Sequence, residues 1–268
     1  MLNKIHRNIR LGAVAAALAF AAMSPAAHAN SLITWGTATN ETGNSSDILT
    51  SGTFLESAFL DADSPINGAS DTVNGVVFAG EYGSSTPGTY DFTGSNISIS
   101  SLQSGSSSEV YAPGGYNANY ATLVEYAGST STSYPAPTIT LGGLTIGQEY
   151  EVQIFEPWWN GNYPTSYSDG TDTSAALTTG CNPSTRGAVC GTPTTAQYIT
   201  GTFTATGTTE SIYTSNSTDT YEIFSALQVR DITTGPVSGV PEPGTLGVLS
   251  VGLLGLGLVR RFIGRRAG

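Results

Sequence analysis

In the heptapeptide Gln148-Glu149-Tyr150-Glu151-Val152-Gln153-Ile154, apolar residues fall at every second position. That period fits an extended strand with one buried and one wet face, and no helix reproduces it. Runs with strand chemistry recur at 32–35, 73–78, 96–102, 120–126, 138–141, 149–155, 196–206 and 221–232, separated by clusters of Gly, Pro, Asn and Ser. In the last run Ile223, Leu227 and Val229 share one side while Gln228 and Arg230 share the other. Only 54–60 has a helical spacing, with Leu55 and Phe59 four apart. Long amphipathic helices are absent, which argues against Rossmann, α/β-barrel and bundle folds. The expectation is an all-β domain, an antiparallel β-sandwich or barrel.

The two ends of the chain read differently. Residues 1–29 combine a basic start (Lys4, Arg7, Arg10), an apolar stretch from Leu11 to Met23 and the small-residue site Ala27-His28-Ala29. This is the layout of a secretory signal peptide, with an uncleaved signal anchor as the alternative, and it predicts a mature start near Asn30. At the other end, Val240-Pro241-Glu242-Pro243 precedes an uncharged apolar run from Gly244 to Val259 and then Arg260, Arg261, Arg265 and Arg266. As a helix the apolar run is about 24 Å long, a short single transmembrane helix whose arginines snorkel and stay cytoplasmic. Proline at both ends of Pro241-Glu242-Pro243 marks where the domain stops. The boundaries are a signal peptide at 1–29, an extracytoplasmic domain at 30–235 and a membrane-sorting segment at 236–268.

That order of Pro-Glu-Pro, short apolar run and terminal arginine cluster closely resembles the PEP-CTERM sorting signal. The resemblance implies recognition by an exosortase, transient anchoring in the inner membrane through the C-terminal helix, and delivery to the cell surface or extracellular space. It also implies association with exopolysaccharide and biofilm. An ordinary membrane anchor is the alternative. Within the domain, Thr138-Ile139-Thr140-Leu141-Gly142-Gly143-Leu144-Thr145-Ile146-Gly147-Gln148-Glu149-Tyr150 and Phe224-Ser225-Ala226-Leu227-Gln228-Val229-Arg230-Asp231 are similar to the central hairpin and final strand of galactose-binding-like jelly-roll sandwiches. This likeness implies a fold and no activity.

Between Asn30 and Gly239 there are nineteen acidic residues and two basic ones, Arg186 and Arg230, for a formal charge of −17. Nucleic acid is excluded as a partner, because neutralising phosphates takes clustered Lys or Arg. The same span holds no histidine and no lysine, which removes Ser-His-Asp and Cys-His arrangements, lysine Schiff bases and histidine-ligated zinc. Carboxylates are the catalytic groups left. Glu149 and Glu151 share a strand face with Cα atoms about 6.8 Å apart, which reads first as a solvated sheet face, with a glycosidase pair as the alternative.

Cys181 and Cys190 lie in a Gly-, Pro- and Thr-rich stretch, where export favours a disulfide over a metal site or a free thiol. No cofactor is expected, with structural calcium held open. Asp61, Asp63 and Asp71, together with Asn67, and separately Asp169 with Asp172, supply hard oxygen donors without EF-hand spacing. Trp158, Trp159, Tyr163 and Tyr167 follow the strand ending at Phe155, among Asn160, Asn162 and Asp169, and could form a loop of rings that stacks on extracellular polysaccharide. Packing of some of those rings into the core is the alternative. Ranked by this chemistry, the reading is a non-enzymatic surface or matrix protein, then a carbohydrate-binding module, then a carboxylate-dependent glycosidase.

Overall fold

The computed structural model describes residues 30–61, 70–82, 88–92, 94–104, 115–125, 128–131, 135–158, 163–180, 195–216 and 221–234. All of them belong to one compact unit, Ala29–Val237. The unit is built mainly of β-strands in two sheets, numbered here along the chain. One sheet runs β1 (Thr34–Trp35), β12 (Gln197–Thr204), β10 (Glu149–Phe155), β15 (Ala226–Asp231), β3 (Thr53–Asp61), β5 (Val76–Tyr82) and β4 (Ser70–Val73), with β2 (Thr39–Asn40) also on β12. The other runs β11 (Thr165–Ser168), β13 (Glu210–Asn216), β9 (Thr138–Leu141), β7 (Ile97–Ser104), β8 (Gly128–Ser131) and β14 (Tyr221–Phe224), with β6 (Gly88–Asp91) also on β7.

The alternation at 149–155 does what its period requires. Tyr150, Val152 and Ile154 are buried in one cluster with Ala58 and Leu60 of β3 and Leu227 and Val229 of β15. Ile97, Ile99, Ile139, Leu141 and Ile212 enter that cluster from the second sheet. Burying each such aliphatic side chain contributes about 1.5 to 3 kcal/mol. In β7 the inward set shifts phase, Ile97, Ile99 and then Leu102, because Ser101 takes a left-handed φ of 60°. Opposite it, β6 pairs Tyr90 with Ile99 and Gly88 with Leu102, one residue fewer on its side, which is a bulge.

Several expectations change. Residues 54–60 form the heart of β3 rather than a helix. Phe59 packs on one side of the sheet while Ala58 and Leu60 pack on the other, so the four-residue spacing of Leu55 and Phe59 comes from a strand covered on both faces. Conversely, much of the expected strand 120–126 is helix α1, Ala118–Glu125. Asn117 caps it, with Oδ1 accepting from the backbone N–H of Asn119 at 3.1 Å and of Tyr120 at 3.5 Å. Tyr120, Leu123 and Val124 supply a buried i, i+3, i+4 stripe.

The expected strand 73–78 holds a turn, since Asn74 and Gly75 both have positive φ and join β4 to β5. β4 then takes the sheet edge, and β5 lies parallel to β3, a departure from a wholly antiparallel pattern. Run 221–232 breaks at Ser225, where the chain passes from β14 in the second sheet to β15 in the first. Ser225 Oγ donates to Leu123 O at 2.7 Å there.

The block 138–150 is a crossover and not a hairpin, because β9 and β10 lie in different sheets. Its corner is closed by Tyr150, whose hydroxyl accepts from Thr145 N at 2.8 Å and donates to Gln148 Oε1 at 3.0 Å. Gly143 and Gly147 take positive φ within it. The opposite face of the first sheet is wet only in part. Gln153 is buried, donating to Asp47 O at 2.7 Å and accepting from Leu49 N and Gln228 Nε2. Residues 41–52 and helix α1 cover this face over a second apolar cluster of Ile48, Phe59, Phe78, Tyr120, Leu123 and Phe155.

Candidate functional site

Chemistry concentrates where β10 runs out. Continuing its inward parity past Ile154 places Glu156 in the interior, fully buried, with Oε1 accepting from Tyr167 Oη at 2.6 Å. Two residues on, Trp158 donates its indole N–H to Glu41 Oε2 at 3.3 Å, and Glu41 is itself buried. Glu41 Oε1 and Glu156 Oε2 are buried without a hydrogen-bond partner among the described residues. Burial raises both carboxyls well above the ordinary range, and for Glu41 the nearby Asp47 and Glu156 charges add to the rise.

Aromatic rings wall this cluster. Tyr116 meets Trp158 edge-on at 5.6 Å and Tyr120 at 5.7 Å, while Tyr120 meets Phe155 at 6.2 Å. The Tyr116 and Tyr120 hydroxyls are buried without hydrogen-bond partners among the described residues, and burial is the leading cause that raises both phenols. Asp47 accepts from Thr42 N, Thr42 Oγ1 and Gly43 N, which fixes the loop that carries Glu41. Glu41 is 4% exposed and Glu156 fully buried.

The residues singled out by sequence scatter. Trp158 is 5% exposed and packs against Gly180, where a Cβ would collide with its ring. Tyr167 is wholly buried between Glu156 and Trp35. These two rings thus sit in the interior. Tyr163 is half-buried, with its N–H on Thr179 Oγ1, and Trp159, Asn160 and Asn162 lie outside the described residues. Glu149 is exposed and Glu151 half-buried, the latter raised by burial despite the opposing Arg230 charge.

Asp61 ends β3 and Asp71 lies on β4, with Asp71 Oδ1 accepting from Thr72 N at 2.7 Å; Asp63 lies outside the described residues, as does Asn67. No group of three or more His, Cys, Asp or Glu suited to a metal occurs among the described residues. Asp169 is taken up by backbone, its carboxylate accepting from Ile33, Thr171 and Asp172 N–H. Partial burial pushes its pKa up, but those donors outweigh it and the net direction is down. Cys181 and Cys190, the sorting residues Val240 to Pro243 and the four terminal arginines also lie outside the described residues. No helix among the described residues is long and apolar enough to cross a membrane.

Sequence reasoning passed over Glu41 and Glu156. For Glu156 a signal existed: it holds the same parity as Tyr150, Val152 and Ile154, the inward side of β10. Glu41, among polar neighbours, carried none.

Arg230, the only basic side chain among the described residues, is also committed to the frame. Its guanidinium donates to the carbonyls of Thr50, Ser51 and Gly52 and lies 6.0 Å from the Phe54 ring centroid. Compared with known proteins, residues 239–261 match the PEP-CTERM protein-sorting motif, a signal of exosortase-sorted proteins exported to the cell surface or extracellular space. No curated protein and no solved structure matches the chain.

Proposed function

We propose that the chain is a non-enzymatic surface or extracellular-matrix protein, released from transient membrane anchoring by an exosortase and associated with exopolysaccharide or biofilm. The observation that carries this reading is the sorting motif at 239–261, placed directly after a β-rich domain. Support for the non-enzymatic part comes from the carboxylates. Glu41 and Glu156 are buried and accept from Trp158 and Tyr167, with their pKa values raised by that burial, Asp169 is saturated by backbone donors, and Glu56 accepts from Ser95 Oγ and from both the N–H and the side-chain amide of Asn96. Each holds structure together. The finer fold in this proposal is a galactose-binding-like β-sandwich, supported by the apolar cluster drawn from both sheets.

Intact-mass analysis of surface or released material from an exosortase-positive strain tests the sorting step. The expected product lacks the arginine tail, and an exosortase-deleted strain retains it on the membrane. Full-length chain ending at Gly268 in both strains overturns the proposal. Glycan-array binding and hydrolysis assays on the released protein test the rest. Glycan binding without turnover favours a carbohydrate-binding module, and turnover defeats the non-enzymatic reading.

A further inference from the structure

The first residues after the expected leader are held by acids of the second sheet. Ser31 is 1% exposed, and its N–H donates to Glu210 Oε2 at 2.8 Å. Ile33, also 1% exposed, donates its N–H to Asp169 Oδ2 at 2.6 Å. The Asn30 side-chain amide donates to Asp169 O at 3.0 Å and Ser211 O at 3.3 Å, and Ser31 Oγ meets Thr206 Oγ1 at 3.4 Å. From there the chain enters β1, which pairs with β12 of the first sheet. The segment therefore bridges the two sheets from its first residue.

Glu210 is incompletely satisfied. It starts β13 on the same inward side as Ile212, is 1% exposed, and its Oε1 is buried without a hydrogen-bond partner among the described residues. A buried carboxylate oxygen without a donor is costly; burial is the first cause raising the Glu210 pKa and the Asp169 charge adds to it, while hydrogen bonds from the Ser31 N–H and side chain and from the Ser211 N–H oppose the rise. Asp169 is the other titratable group facing it, and Arg230 is committed to Thr50, Ser51 and Gly52. Among the described residues, then, no basic side chain is placed to pair with Glu210.

We propose that Glu210, with Asp169 positioning the segment, is a receptor for the chain's own mature N terminus: an α-ammonium at Asn30 pairs with Glu210, and the domain completes its packing only after the leader is removed. The step is hydrolysis by a signal peptidase. Water adds across the Ala29–Asn30 amide, Ala29 leaves as a carboxylate, and the freed Asn30 amine holds a proton at neutral pH. While the leader is attached, that nitrogen is an uncharged amide. After cleavage it is a cation one peptide unit from the N–H that Glu210 already binds, held there by the Asn30 side chain. The inference rests on the signal-peptide expectation and not on the sorting motif.

The test uses the full-length gene exported from cells, with the N terminus read by intact mass. Three forms are compared: wild type, Glu210→Gln, and an insertion of Gly-Ser between Ala29 and Asn30 that leaves Glu210 intact and moves the amine two residues away. Competitive acylation against pH reads the α-amine. A start at Asn30, with an α-amine pKa about one unit or more above the ordinary 7.7–8.0 and about tenfold slower acylation near pH 7, is the expected wild-type result. Both altered proteins return the amine to the ordinary range, and the insertion also lowers the melting temperature. Should Glu210→Gln fail to fold, the insertion carries the comparison. Equal α-amine titration in wild type and the insertion overturns the proposal, and so does a mature start other than Asn30. Either failure leaves C-terminal sorting untouched, since arginine-tail loss is read in the same spectrum.

Discussion

The indole of Trp158 touches Gly180 and Tyr116 and donates to a buried acid, so its removal opens a cavity and strands Glu41. Trp158→Ala should destabilise the domain by about 3 kcal/mol or more, read by denaturant unfolding. An unfolding midpoint unchanged from wild type would place the ring outside the core after all. Glycine at 180 belongs to the same packing, because any Cβ there meets the ring. A tryptophan in a Gly- and Pro-rich stretch reads as exposed from sequence alone. What buries it is the bridge between Trp158 and Gly180, a contact made only once the chain has returned through β11.

Among the elements, β9 and β10 were legible to the residue because apolar alternation and flanking glycines agree there. β11, Thr-Ser-Tyr-Ser, and β8, Gly-Ser-Thr-Ser, were not, since short polar strands carry almost no periodic signal. α1 was hidden by its β-branched and aromatic residues, whose strand preference tertiary packing and the Asn117 cap override. The corner between β9 and β10 was visible as a motif, but not which sheets it joins. Its two hydrogen bonds on the Tyr150 hydroxyl make a local test. Tyr150→Phe keeps the ring in the core and leaves Thr145 N–H without its acceptor. A loss of about 1 to 2 kcal/mol is expected, with amide exchange at Thr145 quickened and the β10–β12 ladder still protected. Exchange at Thr145 as slow as in wild type would deny the corner that role.

For the whole molecule, charge and burial combine into a pH dependence with a definite sign. Glu41 and Glu156 have folded pKa values above their unfolded values, with burial as the main cause. The native state then binds more protons than the unfolded chain, so their contribution is fully present below the ordinary glutamate pKa of about 4.3 and is lost as pH rises through the folded values. Asp169 acts in the opposite window: its lowered pKa adds stability above the ordinary aspartate range that is lost as pH falls. The −17 charge of residues 30–239 adds self-repulsion as the carboxyls ionise, in the same direction as the buried pair. The melting temperature of the domain should therefore fall as pH rises above the ordinary glutamate range, and substitution separates the two causes. Glu41→Gln with Glu156→Gln keeps an oxygen for Trp158 and for Tyr167, cannot ionise, and changes the net charge by only two. The double variant should show a distinctly flatter profile, with its largest gain over wild type at the alkaline end. Profiles that run parallel across the range would assign the whole slope to surface repulsion and leave the buried acids no part in it.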